Sequence, residues 1–145
     1  MPLLYEGDPM QTSLHHLQVN VREENLPFYR DLMSFLGWTT LMDQAEFFGA
    51  GAVNGASLWF IGQVNDTVND YDGPGVNHIA IGTESPAAVD ATVAYLEGRG
   101  VPALFETPRH RPEFSQGPEQ TYYQVMFESP DRVLFEVVYT GPRQA

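Results

Sequence analysis

Three polar residues sit in strand-like, otherwise apolar surroundings, and their types allow metal chemistry. His78 lies in Val76-Asn77-His78-Ile79-Ala80-Ile81, a segment that echoes Leu14-His15-His16-Leu17-Gln18-Val19 about sixty residues earlier, and each copy leads into a helix-like stretch. Glu136 interrupts the run Val133-Leu134-Phe135-Glu136-Val137-Val138-Tyr139, where a lone carboxylate is costly unless something pairs with it. Two histidines and a glutamate on facing strands suggest a bound metal.

Other chemistries are excluded by what the chain lacks. It has no cysteine, and all 7 of its basic residues are arginine, which removes disulfides, thiolate catalysis and lysine Schiff bases. No Gly-x-Ser-x-Gly elbow, phosphate loop or dinucleotide fingerprint occurs. The net charge of −12 disfavours nucleic acid and anionic membranes as partners, since both need clustered cations. With no apolar run of spanning length and no basic secretory start, a cytoplasmic location is expected. At 145 residues and 43% hydrophobic content, the chain suits one domain, or two small modules sharing one sheet system.

Periodicity supplies the elements that must position these residues. Residues 1–11 read as an arm. A strand over Leu14–Val21 puts His16, Gln18 and Asn20 on one face and Leu17, Val19 and Val21 on the other. A helix starts near Pro27 and is stopped by Gly37, and short strands follow around Trp38–Met42, Glu46–Gly49 and Ala56–Gly62. This first module covers 12–65. The Asn-, Asp- and Gly-rich stretch 66–75 reads as a linker.

The second module, 76–141, repeats the pattern. His78 and Ala80 share a strand face, Ser85 caps a helix carrying Val89, Val93 and Leu96, and strands are expected at Ala103–Glu106, Tyr122–Glu128 and Val133–Tyr139. Thr107–Gln120 reads as a long loop. It holds the cluster Arg109-His110-Arg111, which can close over an anionic substrate or form a solvated loop that balances Glu106 and Glu113. Tyr122 and Tyr123 face opposite sides of their strand, so one can act as a donor toward the site while the other packs; Tyr123 is the candidate. His15 points to the helix side.

These segments resemble the vicinal oxygen chelate superfamily, the group of glyoxalases, bleomycin-resistance proteins and extradiol dioxygenases. The resemblance is carried by Leu14–Val21 with Phe28-Tyr29-Arg30-Asp31-Leu32, by Asn77-His78-Ile79-Ala80-Ile81, and by Ser129-Pro130-Asp131-Arg132-Val133-Leu134-Phe135-Glu136. It implies an α+β fold in which two βαβββ modules form a curved, cup-like mixed sheet around a metal. It also implies a homodimer. His16, His78 and Glu136 match the family's ligand positions and would hold a divalent ion, whether Fe, Mn, Ni, Zn or Co.

The resemblance further implies a glyoxalase-like lyase, isomerase or transferase acting on a small oxygen-rich substrate. Gln18 or Tyr123 would position that substrate, and Trp59, Arg109 and Arg111 would help bind it. One alternative is a ring-cleaving Fe(II) dioxygenase of the extradiol type; another is a bleomycin-resistance-like binding protein without catalysis. Ser57-Leu58-Trp59-Phe60-Ile61 offers no carboxylate or amide where glyoxalase I-like members carry a fourth ligand. Met126 stands where extradiol enzymes carry a tyrosine.

Overall fold

The structure, a computed structural model, describes residues 7–143. Residues 1–6 of the expected arm and the C-terminal pair 144–145 lie outside the described residues. The chain divides into two compact units between Val64 and Asn65. No helix among the described residues is long and apolar enough to cross a membrane.

The first unit contains β1 (His16–Asn20), α1 (Leu26–Phe35), β2 (Thr39–Asp43), β3 (Phe47–Gly51) and β4 (Ser57–Ile61). Its sheet has the order β1-β4-β3-β2, with β1 parallel to β4 and the other pairs antiparallel. Parallel neighbours need a long crossover, which α1 and the β2–β3 hairpin supply. Pro27 sits in the first turn of α1, and Leu26, Tyr29, Leu32 and Met33 form its buried stripe. The helix stops at Gly37, whose φ of 82° allows Trp38 N–H to reach back to the Met33 carbonyl at 3.0 Å. Tyr29 stacks on Phe60 of β4 with ring centroids 4.5 Å apart, which fixes the helix to one face of the sheet.

The second unit repeats this topology with β5 (Ile79–Thr83), α2 (Pro86–Gly98), β6 (Leu104–His110), β7 (Gln120–Glu128) and β8 (Leu134–Pro142). Its order is β5-β8-β7-β6, with β5 parallel to β8. Ser85 caps α2 as expected, its Oγ accepting from Ala88 N–H at 3.1 Å. Val89, Thr92 and Leu96 of the helix are buried, as are Val125, Phe127, Phe135 and Val137 of the sheet. Alternation along β7 and β8 sends those apolar residues to one face and leaves the other for polar side chains.

One expected loop is in part a strand. Arg109 and His110 lie in β6 and pair with Gln124 and Tyr123, after a wide irregularity that begins beyond Leu104. Phe105 and Glu106 adopt left-handed backbone angles of 57° and 61° there, which no alternation rule anticipates. Thr107 bridges the gap with its hydroxyl, donating to the Leu104 carbonyl at 2.6 Å and accepting from Met126 N–H at 2.9 Å.

Candidate functional site

Glu136 is the centre of the polar face of the second unit. Register places it beside Ala80 of β5 and Met126 of β7, and the same face carries Tyr122, Gln124 and Arg109. His78, two residues before Ala80, shares that face by parity. Ala80 and Gly82 are small and exposed, so β5 leaves this face open.

The Glu136 carboxylate is 1% exposed, yet both its oxygens are engaged. Oε1 accepts from the Tyr122 hydroxyl at 2.5 Å and from Gln124 Nε2 at 2.7 Å. Oε2 lies 3.0 Å from His78 Nε2. Gln124 is itself oriented by Arg111, whose Nη1 donates to its Oε1 at 2.9 Å, so the amide NH2 must point at Glu136. Arg111 is further held by Glu113 at 2.5 Å and lies 4.8 Å over the Phe114 ring. The result is a chain of donors that satisfies one oxygen of a buried carboxylate and aims the other at an imidazole.

Tyr122 is a firm donor in this chain. Burial first, and then its hydrogen bond to Glu136, push its hydroxyl up to about 12. Tyr123 points the other way and donates to Asp90 of α2 at 2.6 Å. The structure therefore corrects the expected assignment: Tyr122 reaches the carboxylate, because it shares parity with Glu136 across the antiparallel pair, and Tyr123 ties β7 to its helix.

Arg109 Nη1 stands 3.6 Å from Glu106, and its Nε is the single buried side-chain polar atom among the described residues that finds no hydrogen-bond partner. In the first unit, His16, Gln18 and Asn20 occupy the exposed positions of β1, as alternation requires. His16 Nδ1 lies 2.8 Å from His15 Nδ1, and Gln18 Nε2 donates to Asn20 Oδ1 at 3.0 Å. His15 is exposed and lies just before β1. Trp59 pairs in register with Gln18, donates to Ser57 Oγ at 2.9 Å and lies flat against Gly49, where a Cβ would come within 2.4 Å of the indole.

Neither unit, taken by itself, gathers three or more His, Asp or Glu side chains into a metal-holding group among the described residues. The second unit offers two, His78 and Glu136, and their donor chemistry fits a divalent ion: one imidazole nitrogen and one carboxylate oxygen. Their nearest atoms lie 3.0 Å apart, close enough to be held by one ion or by one N–H···O hydrogen bond. Gln124 and Asn77, which holds the other nitrogen of His78 at 2.7 Å, were not anticipated from sequence. A lone amide beside the apolar run Val125-Met126-Phe127, two positions from Tyr122, was the available signal for Gln124.

No family profile and no curated protein sequence matches the chain. Solved structures do. A candidate glyoxalase from Bacillus halodurans is 29% identical with a TM-score of 0.73, over 89% of this chain and 96% of its own. A glyoxalase/dioxygenase from Nostoc punctiforme is 15% identical with a TM-score of 0.67, covering 97% of each chain. A glyoxalase/bleomycin resistance protein from Albidiferax ferrireducens is 18% identical with a TM-score of 0.66, over 87% of this chain and 98% of its own. The last two likenesses speak to the fold alone.

The Tyr123–Asp90 contact gives a stability signature at high pH. Burial and Asp90 raise the Tyr123 hydroxyl to about 12 from 10.0, so the folded chain holds that proton more tightly than the unfolded chain. The stabilisation is intact below pH 10 and is lost as pH rises toward 12. Urea midpoints measured across this window should fall with pH, and fall less steeply in Tyr123→Phe; equal slopes in the two proteins would contradict the assignment.

Proposed function

We propose that this chain, which has the vicinal oxygen chelate fold and whose structural neighbours are glyoxalase, bleomycin-resistance and dioxygenase family proteins, is a divalent-metal-dependent enzyme acting on a small oxygen-rich molecule. The observation that carries the reading is the treatment of Glu136. A carboxylate buried to 1% exposure is costly, and two donors satisfy only its Oε1. Its Oε2 is directed at the one His78 nitrogen suited to share a cation with it.

His78 and Glu136 would hold the ion. When bound, a divalent ion supplies Lewis acidity toward a substrate offering two oxygens. The chain's own residues do the rest: Tyr122 and Gln124 hold the carboxylate in place, Arg111 holds Gln124, and the open face over Ala80 and Gly82 admits substrate. His16 enters through the family resemblance, as the equivalent residue of the first module. The half-exposed Arg109 guanidinium, on the same face as Gln124, supports a substrate with an anionic group.

Elemental analysis of protein purified without chelators tests the metal. About one divalent ion per chain is expected, lost in His78→Ala and Glu136→Gln and reduced in His16→Ala if that residue is a ligand. Undiminished metal in the first two variants would sink the reading, and no metal after reconstitution with each candidate ion would favour ligand sequestration instead. Dioxygen uptake with catechols would move the assignment from lyase, isomerase or transferase to ring-cleaving dioxygenase. For substrates found active, Arg109→Ala should raise KM roughly ten-fold or more for anionic members and leave neutral ones unchanged; equal effects on both would remove Arg109 from substrate recognition.

A further inference from the structure

We propose that Asn77 is a positioning residue that fixes the tautomer of His78, keeping the proton on Nδ1 and presenting Nε2 to Glu136; as a device for metal binding, it rests on the metal reading above. One atom beside Asn77 has an unambiguous hydrogen-bonding role. The main-chain carbonyl of Tyr71 can only accept, and the Asn77 side chain approaches it at 2.9 Å. That end of the amide must therefore be the NH2 group. The opposite end is then the oxygen, and it lies 2.7 Å from His78 Nδ1. An oxygen that only accepts requires Nδ1 to donate. The lone pair of the neutral ring is thereby left on Nε2, 3.0 Å from the Glu136 carboxylate. Two lone pairs cannot face each other at that distance without a proton or a metal ion between them.

The anchor of this device is itself anchored. Tyr71 is 7% exposed, its hydroxyl donates to Glu128 Oε2 at 2.5 Å, and the Arg132 guanidinium lies 5.3 Å over its ring. Asn69 Nδ2 donates to the Arg132 carbonyl at 2.8 Å. The segment that reads as a linker in sequence is thus moored to the turn between β7 and β8, the two strands that carry Glu136 and its donors. A ring nitrogen protonated by a fixed acceptor is the usual means of orienting a metal-binding histidine, and loss of such a partner weakens metal binding by roughly 10- to 100-fold.

Two measurements test this. The first is two-bond proton–nitrogen correlation of the histidine rings in Glu136→Ala protein stripped of metal, at a pH where free imidazole is neutral. With the opposing carboxylate gone, Asn77 alone sets the tautomer. We expect Nδ1–H for His78, reverting in the Glu136→Ala/Asn77→Leu protein to the Nε2–H form that free histidine prefers. Nε2–H in the first protein overturns the proposal. The second is zinc affinity in the otherwise unaltered full chain, which remains informative if removal of Glu136 prevents folding. Asn77→Leu should weaken zinc binding roughly 10- to 100-fold, and Asn77→Asp, which keeps an acceptor at the same place, should retain it within a few-fold. Equal affinity in Asn77→Leu and the unaltered chain overturns the proposal. If no variant binds zinc but the tautomer follows Asn77, the tautomer assignment stands and the metal reading alone falls.

Discussion

Burying one carboxylate in an apolar strand is the constraint on which the polar half of this structure depends. Glu136 sits between Phe135 and Val137, both fully buried, and an unpaired charge there would be destabilising by several kcal/mol. The surroundings answer it in layers. Tyr122 and Gln124 donate to one oxygen, Arg111 orients Gln124, and Glu113 with Phe114 holds Arg111. On the other side His78 meets the second oxygen, Asn77 holds His78, and the Tyr71 segment holds Asn77. An arrangement this complete on one oxygen and open to an imidazole on the other is expensive for a purely structural role, because an apolar residue at position 136 would pack without it. That comparison is the physical reason to read the site as functional.

The fold makes such a site available through alternation. Each unit runs strand, helix and three strands, with the helix covering one face of the sheet and turning the other toward polar chemistry. Glu136, Gln124 and Tyr122 come from two antiparallel neighbours, and His78 immediately precedes β5, the parallel edge strand beyond. The crossover through α2 that makes β5 and β8 parallel is therefore what brings a residue near 78 alongside one near 136.

Much of this was legible in the chain. Proline at the start of α1, glycine at its end and the Ser85 cap are local signals with local causes, and they located the helices. The face shared by His78 and Ala80 followed from period-two alternation. The choice between Tyr122 and Tyr123 did not follow from either strand alone, because it depends on how β7 pairs with β8. The tight turn at Ser129–Arg132 pairs Met126 with Glu136, so even-numbered residues of β7 face the carboxylate. Counting through that hairpin would have selected Tyr122. The course of β6 was not legible at all: left-handed angles at Phe105 and Glu106 belong to non-glycine residues, and the ladder is carried across the gap by a threonine side chain. The mooring of residues 69–77 was hidden for a different reason. Asn and Asp favour turns in any context, and composition cannot reveal that Asn69 and Asn77 direct their amides to particular carbonyls.

Anomalous diffraction from crystals grown with manganese or cobalt would test the metal centre most directly. A peak within bonding distance of both His78 Nε2 and Glu136 Oε2, with Tyr122 and Gln124 still on Oε1, is the expected result. His78 and Glu136 still in direct contact, with no peak at either residue in crystals that contain the ion, would contradict it.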